Sequence, residues 1–284
     1  MNHRDYTELL QDTRTLSPAD LAARPHATAL ALTDVLGKLA SPDSGDVLRA
    51  DASLGTLSDG VTSYPMRGGL PLLIPARLQP HFTDRVSVPF ATNHDAFMQY
   101  FLLASIKQSG EINAAPDDTH FQRHLFRASE FMRETRGLLL DVGCDDPLIG
   151  ASLLPAGTQY IGLDPFCMRA APFRLIGVGE YLPFRDGSVD AVLFNTSLDH
   201  ILDWRRALDE AHRVLAPGGT LYLFTLVWTE RAGLIGDAVH FHHFRDYEIF
   251  GALDGFEITA ARRYDYKGAT HRHGLYLRAT KRGG

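Results

Sequence analysis

A short acidic run with one glycine, DVGCDDP at 141–147, has the residue types best suited to binding a nucleoside. It ends an apolar stretch that is typical of a buried strand. Gly143 permits a tight turn and close approach of a ligand, while Asp146-Pro147 is typical of a helix N-cap and first helical residue. Asp164 comes 23 residues after the first acid of the run. This is near the spacing of about 20 residues at which an acid meets ribose hydroxyls in dinucleotide folds.

The charge of this run distinguishes between nucleoside cofactors. A dinucleotide needs backbone amides that can bind its pyrophosphate, and Asp145 and Asp146 would crowd that anion with carboxylates. S-adenosylmethionine carries a sulfonium and an ammonium against one carboxylate, so acidic neighbours favour it. The residues therefore favour S-adenosylmethionine, and an NAD-dependent dehydrogenase is the weaker alternative.

Asp199 and His200 follow a second predicted strand, DAVLFN at 190–195. A general base is needed when a hydroxyl acceptor must lose its proton, and His200 beside an acid is the best candidate for that role. The alternative is a structural role, in which His200 caps or packs the helix that follows.

A second group of candidates lies in the segment VHFHHFRDY, where His240, His242 and His243 occur close together. Such residues can hold a polar ring, supply a base, or bind a metal together with Asp237. The structural alternative is a helix start at which His243 and Phe244 pack inward. We expect no metal here, and we name His243 as a further catalytic candidate.

The elements that would position these residues alternate between strand and helix from Gly137 onward. The predicted strands are Gly137–Val142, Gln159–Leu163, Asp190–Asn195, Thr220–Leu226, Phe256–Tyr264 and Gly274–Thr280, and the predicted helices are Leu148–Leu154 and Trp204–Leu215. This alternation predicts an α/β fold with a mostly parallel sheet and helices on both faces, closed by an antiparallel pair.

The first part of the chain has a different character. We predict an N-terminal extension over 1–90, with an amphipathic helix at His26–Leu39 and a small hairpin-rich module at 47–76. The catalytic domain would then span 91–284, including a helical cover over 91–136. Apolar residues with helical spacing define that cover: Phe97, Tyr100, Phe101, Leu102, Ile106, Phe121, Leu125, Phe126 and Phe131.

Several segments occur in an order and spacing that is more specific than any one motif: LLLDVGCDDP, YIGLDP, GEYLPFRDGSVD, LDH and RVLAPGG. With them, residues 137–280 resemble the class I S-adenosylmethionine-dependent methyltransferases of the small-molecule type. The resemblance implies a Rossmann-like sheet of seven strands, the last of them antiparallel.

The resemblance also assigns cofactor contacts to residues near the strand ends. These are Asp141, Gly143 and Asp145 for the methionine end, Asp164 for the ribose, Val178, Gly179 and Glu180 for the adenine, and Asn195 for the methyl group. The sequence departs from the family at three positions. Glycine is usual at the position of Asp145 and is often found again at that of Pro147, while an acid is common at the position of Val178. These departures keep a second hypothesis open, namely a protein of this fold that binds the cofactor but performs a non-methylating reaction (cyclase or isomerase) or has a regulatory role.

The stretch GVTSYPMRGGLPLLIP at 60–75 is similar to the end of a zinc-ribbon-like module that occurs as a methyltransferase activator or a fused N-terminal segment. The cysteines of that module are missing here. We therefore expect a metal-free element that packs against the domain or covers its substrate.

Composition limits the partners. The chain has 284 residues and a formal net charge of −6, which gives no general attraction to nucleic acid or to an anionic membrane. No apolar run reaches the roughly 18 residues of a membrane span. Cys144 and Cys167 are too few for a disulfide framework or a structural zinc site, and we expect both to be small buried residues in a cytoplasmic protein. The expected partner is a small-molecule acceptor, such as a sugar or secondary metabolite, methylated on oxygen or nitrogen, and a homodimer is left open.

Overall fold

The structure is a computed structural model that describes residues 6–51, 55–79, 118–165, 174–229, 240–269 and 271–283. Cys167, Asp237, the predicted helical residues between 97 and 106, and most of the predicted cover over 91–136 lie outside these ranges.

The described strands and helices follow one another along the chain as listed here. The strands are β1 (Leu9–Leu10), β2 (Thr28–Ala29), β3 (Arg49–Asp51), β4 (Thr56–Ser58), β5 (Ser63–Arg67), β6 (Leu70–Pro71), β7 (Gly137–Val142), β8 (Thr158–Asp164), β9 (Arg174–Ile176), β10 (Val189–Asn195), β11 (Leu215–Trp228), β12 (Phe256–Asp265) and β13 (Arg272–Lys281). The helices are α1 (Pro18–Ala22), α2 (Leu32–Val35), α3 (Thr119–Phe131), α4 (Pro147–Leu153), α5 (Trp204–Val214) and α6 (Asp246–Gly251). Single 3₁₀ turns span Leu36–Lys38, Gly179–Tyr181 and Leu198–His200.

The main sheet has the order β1-β12-β13-β11-β10-β7-β8, with β9 and β2 both paired to β8. Strands β9, β8, β7, β10 and β11 are parallel, and β13 is antiparallel to both β11 and β12. This confirms the predicted α/β fold and its closing antiparallel pair. The described sheet has nine strands rather than seven, because the short N-terminal strands β1 and β2 add to the seven from the region after Gly137.

Helices cover both faces of the sheet, as predicted. Side chains alternate between the faces of a strand, so Leu138 and Leu140 pack into one core with Ala207 of α5. Leu139 faces the opposite side and packs into a second core with Leu125 of α3, as well as with residues of α4. Because both faces are covered, β7 is an almost continuous apolar run up to its last residues.

The predicted helix over His26–Leu39 is wrong in its first part. Thr28 and Ala29 form β2, which pairs with β8, and the next backbone N–H, that of Leu30, donates to the Tyr160 carbonyl at 2.8 Å. Only Leu32–Val35 is α-helical. Sheet hydrogen bonds to β8 therefore outweigh the local helical periodicity, while Leu30, Val35 and Leu39 are still buried.

The predicted hairpins are present. Strands β3, β4, β5 and β6 form an antiparallel sheet of their own. The chain then runs along the main sheet, where the backbone N–H of Leu73 donates to the Ile176 carbonyl at 2.7 Å. Buried apolar residues between 70 and 78 pack there against Ile176, Val178 and Tyr181. The hairpin module is thus attached to the domain beside the residues expected to line the adenine.

Among the described helices, none is both long and apolar enough to cross a membrane.

Candidate active site

The loop after β7 turns sharply at two residues with left-handed backbone. Gly143 has φ of +77° and Asp145 has φ of +42°. A Cβ added at Gly143 would lie 2.4 Å from the Cβ of Ser197, so only glycine fits. Asp146 then caps α4 by accepting from the backbone N–H of Leu148 at 3.1 Å, and Pro147 is the first helical residue, which confirms the predicted cap.

Asp141, the residue before the last of β7, has a buried carboxyl group. The Tyr160 hydroxyl donates to its Oδ2 at 2.8 Å, while Oδ1 has no hydrogen-bond partner among the described residues. Burial raises the pKa of Asp141 to about 7. A cation close to this group would favour the charged carboxylate.

Asp164 ends β8 and is held on both sides. Its Oδ2 accepts from the backbone N–H of Asp145 at 3.0 Å, and its Oδ1 lies 3.3 Å from Nη2 of Arg174. Arg174 is 1% exposed and also donates to the carbonyl of Asp145 at 2.9 Å. The sequence resemblance assigns Asp164 to the ribose, but sequence reasoning missed Arg174, which lies in a strand too short to be predicted.

The expected adenine side is formed by the 3₁₀ turn Gly179–Tyr181. A Cβ added at Gly179 would lie 2.7 Å from Cδ1 of Ile201, so this turn packs closely on the turn after β10. The Glu180 carboxylate accepts from the backbone N–H of Asp203 at 3.2 Å, just before α5. Burial raises the pKa of Glu180 to about 7. Glu180 therefore joins this turn to the start of α5.

Asn195 ends β10 beside a histidine that sequence reasoning did not single out. Nε2 of His124 lies 2.8 Å from Asn195 Oδ1, and its Nδ1 lies 2.6 Å from the Tyr276 hydroxyl. Burial lowers the pKa of His124 to about 4, so the ring is neutral near pH 7. A neutral ring then donates from Nε2 to Asn195 and accepts from Tyr276. No sequence pattern links α3 to these strands.

Asp199 and His200 lie on the 3₁₀ turn after β10, where His240 joins them. The Nε2 atom of His200 is 3.9 Å from Asp199 Oδ1, and the Nε2 atom of His240 is 4.0 Å from Asp199 Oδ2. The Asp199 side chain is 3% exposed, against 36% for His200 and 20% for His240. Asp199 thus lies beside His200 of the first predicted group and beside His240 of the second.

The other two histidines of the second group contact different neighbours. His243 stacks on Trp228, with ring centroids 4.1 Å apart and planes at 16°. His242 Nε2 lies 2.9 Å from the Ile201 carbonyl, and its ring stacks on Phe244. Phe244 is buried against Trp204. His243 therefore lies at the edge of the Asp199 group, and its catalytic role stays a prediction.

Comparison with known proteins gives the class of this fold. The crystal structure of the Burkholderia thailandensis 1,6-didemethyltoxoflavin-N1-methyltransferase, with bound 1,6-didemethyltoxoflavin and S-adenosylhomocysteine, covers 70% of this chain and 94% of its own, with a TM-score of 0.50 and 19% identity. The [4+2]-cyclase SpnF covers 70% of this chain and all of its own, with a TM-score of 0.51 and 19% identity. Both likenesses show the fold, which is the Rossmann-like fold of class I S-adenosylmethionine-dependent methyltransferases.

The family of the central segment is given by sequence. Residues 140–223 match the family model described as a methyltransferase domain. An uncharacterized methyltransferase of Mycobacterium sp. (strain KMS) is 37% identical over 98 residues, which is 32% of this chain and 39% of that relative. The chain spans about two fifths of the length of the first curated relatives that it matches. Residues 140–223 are thus a methyltransferase domain, and the resemblance seen in the sequence is confirmed for them.

Proposed function

We propose that this chain transfers a methyl group from S-adenosylmethionine to an oxygen or nitrogen atom of a small-molecule acceptor. One contact carries the proposal. Ser197 packs on Gly143, and its hydroxyl donates to the Val142 carbonyl. The turn with Asp199 and His200 therefore begins beside the loop expected to hold the methionine end of the cofactor. Groups suited to binding the donor and to accepting a proton lie side by side.

The residues of the first loop fit this cofactor. The left-handed turn at Gly143 requires glycine, because a Cβ there would meet Ser197, and the bare backbone of glycine allows a ligand to approach closely. The buried Oδ1 of Asp141 has no described partner and would accept a hydrogen bond from the ammonium group. Arg174 offsets the charge of Asp164, but a carboxylate has about four acceptor positions, so Asp164 can still bind ribose hydroxyls.

The remaining residues divide between orientation and proton transfer. When bound, S-adenosylmethionine supplies a methyl group that its sulfonium makes reactive. Asn195 faces the reacting end, held by His124. We assign to His200 the proton that leaves an acceptor hydroxyl or amine, and to Asp199 the stabilisation of the resulting imidazolium. Most of the rate gain would come from holding acceptor and methyl group in line.

Two further groups of residues are assigned to the adenine of the cofactor and to the acceptor. Gly179 and Glu180 would line the adenine through their backbone, since the carboxylate of Glu180 already accepts from Asp203. His243, stacked on the buried ring of Trp228, would offer a flat surface for an acceptor ring. The net charge of −6 gives no general attraction to nucleic acid or to an anionic membrane, which supports a small-molecule acceptor.

Calorimetric titration with S-adenosylhomocysteine tests the cofactor assignment. We expect saturable one-to-one binding, weakened by roughly 30-fold in Asp164→Asn because a charged hydrogen-bond acceptor for the ribose is worth about 2 kcal/mol. Asp209→Asn, an exposed carboxylate on α5, is the matched control and should bind as the parent does. Failure of the unaltered protein to bind at millimolar concentration would overturn the proposal.

Incubation of methyl-labelled cofactor with pools of small hydroxyl and amine compounds tests the transfer itself. We expect label in at least one acceptor and a lower rate for His200→Gln, which removes the base. Binding of the cofactor without transfer across broad pools would instead favour the non-methylating alternative. That alternative is supported by Asp145 and Pro147 in place of the usual glycines and by the likeness to a cyclase.

A further inference from the structure

The side chains of Asp199, His200 and His240 bring three potential ligand atoms together at the carboxyl end of β10. One carboxylate oxygen and two imidazole nitrogens all lie within 4.8 Å of one another. The rings of His200 and His240 are 5.3 Å apart between centroids and inclined by only 31°. We propose that these three residues bind one divalent transition-metal ion, which would hold an oxygen or nitrogen atom of the acceptor.

The two chain segments that carry these ligands are fastened together by backbone hydrogen bonds. The carbonyl of Asp199 accepts from the N–H groups of Phe241 at 2.9 Å and His242 at 3.2 Å. The His242 ring adds a hydrogen bond to the Ile201 carbonyl, on the other side of the same turn. The ligands, separated by about 40 residues in the sequence, are thereby fixed relative to one another.

The other end of the second segment is also anchored. The backbone N–H of Trp228, at the end of β11, donates to the Phe244 carbonyl at 2.8 Å, and Phe244 is buried against Trp204. The ligands thus belong to a supported site rather than to loose surface side chains, which is what metal binding requires.

The donor set fits an ion of the zinc or iron(II) class. Imidazoles with one carboxylate bind such ions and leave coordination positions open for water or substrate. With bonds of about 2.1 Å, tetrahedral ligand atoms lie about 3.4 Å apart. His200 and His240 lie 3.9 and 4.0 Å from different oxygens of Asp199, and one ligand atom from each residue gives separations of at most 4.8 Å. The longest separation therefore needs to contract by at most about 1.4 Å, through rotation of the partly exposed imidazole side chains.

Exposure indicates which side of the ion would stay open. The carboxylate of Asp199 lies on the protein side, whereas the partly exposed rings of His200 and His240 border the solvent. An acceptor entering from solvent would therefore meet the open positions, although this use of the ion rests on the proposed function. As a metal ligand His200 would not act as the base. A hydroxyl bound to the ion would instead lose its proton to water, because the ion lowers the pKa of the bound group.

The full-length protein, treated with a chelator and then freed of it, provides the test. Titration with Zn²⁺ by calorimetry should show one equivalent, and Co²⁺ should give visible absorption bands that Zn²⁺ displaces. His240→Ala should weaken binding by more than about 100-fold, because loss of even a supporting partner of a ligand costs 10- to 100-fold. His271→Ala, which removes an exposed imidazole outside the group, is the matched control and should retain full affinity.

Binding of S-adenosylhomocysteine by the same His240→Ala protein verifies that the domain is intact. Absence of one-to-one metal binding, or binding that His240→Ala leaves unchanged, would overturn this inference. If the protein binds S-adenosylhomocysteine but no metal, only the proposed metal site is wrong. If it binds the metal but not S-adenosylhomocysteine, only the proposed function is wrong.

Discussion

The two ends of the candidate active site are built in opposite ways. At the cofactor end, which comprises the loop 141–146, Asp164, Arg174 and the turn 179–181, four charged side chains are buried and hydrogen-bonded or ion-paired within the protein: Asp141, Asp164, Arg174 and Glu180. At the acceptor end, which comprises Trp228 and the side chains 199, 200, 240 and 243, a single buried carboxylate lies beside partly exposed histidine rings, one of which stacks on the buried Trp228. One end is fixed before any ligand arrives, and the other is open.

This difference has an energetic cause. A buried charge must be compensated within the protein, because its loss of hydration is large. Asp164 is compensated by Arg174, while Asp141 and Glu180 respond to burial with raised pKa values. The histidine rings of the acceptor end keep part of their hydration, so they can be replaced with little loss of folding stability. We therefore expect substitutions at the cofactor end to lower the free energy of unfolding strongly, and substitutions of the acceptor-end histidines to change it little.

The largest expected effect is that of Arg174→Met. This change leaves Asp164 buried without its cation, and breaking a buried pair in this way costs about 3–5 kcal/mol of unfolding free energy. Urea denaturation measures the loss. The matched control is Arg278→Met, whose partner Glu134 is 63% exposed, and it should cost less than about 1 kcal/mol. Equal losses of unfolding free energy in the two variants would contradict the expected difference between the buried and the exposed ion pair.

Gly143→Ala should come next, at about 2–4 kcal/mol, together with a loss of S-adenosylhomocysteine affinity. The change places a Cβ against Ser197 in addition to its left-handed backbone cost. Gly268→Ala isolates the backbone part of about 1–2 kcal/mol, because Gly268 has φ of +65° but nothing within 4 Å of its Cβ position. If both variants lost the same stability, crowding at Ser197 would not explain the glycine.

The backbone of the proposed cofactor end was easier to predict from sequence than the side-chain contacts of the proposed acceptor end. The strand, the turn at Gly143 and the cap at Asp146 are local features, and local patterns specify them. The helix predicted from His26 failed in part because strand pairing with β8, a distant segment, decides its conformation. Arg174 was missed for a similar reason, since nothing near it in sequence shows that it faces Asp164.

The acceptor end depends almost wholly on contacts between distant segments. The neighbouring histidines 240, 242 and 243 were recognised as a group, but the structure divides them among Asp199, the Ile201 carbonyl and Trp228. His124 reaches Asn195 from α3, 71 residues earlier. Residue types alone indicated chemistry here, but only the fold decides which side chains meet.

Glu180→Gln should stabilise the protein, because it removes a buried titratable group from the cofactor end. With its pKa raised from 4.5 to about 7, Glu180 keeps its proton in the folded state at pH values where the unfolded chain has lost it. Stability is therefore lost as pH rises through this window, and the neutral glutamine avoids the loss. We expect a gain of about 1–3 kcal/mol near pH 8 and little near pH 4.5.

Urea denaturation at both pH values measures this gain. Glu257→Gln, an exposed carboxylate on β12, is the control and should show no such dependence on pH. A gain of the same size at both pH values would show that the glutamine acts through packing rather than through charge.

His200→Ala should have the smallest effect on stability, because its ring is 36% exposed and exposed changes are usually within about 0.5 kcal/mol. Asp199 would keep His240 as a neighbour and its carbonyl would keep both backbone hydrogen bonds. Once an acceptor is known, the same change should slow methyl transfer by about 100-fold, because it removes either the positioned base of the proposed function or a ligand of the proposed metal ion. A loss of stability above about 2 kcal/mol would instead place His200 among the structural residues, since losses of that size come from buried groups. The acceptor end would then be as sensitive to substitution as the cofactor end, contrary to the difference in exposure of their side chains.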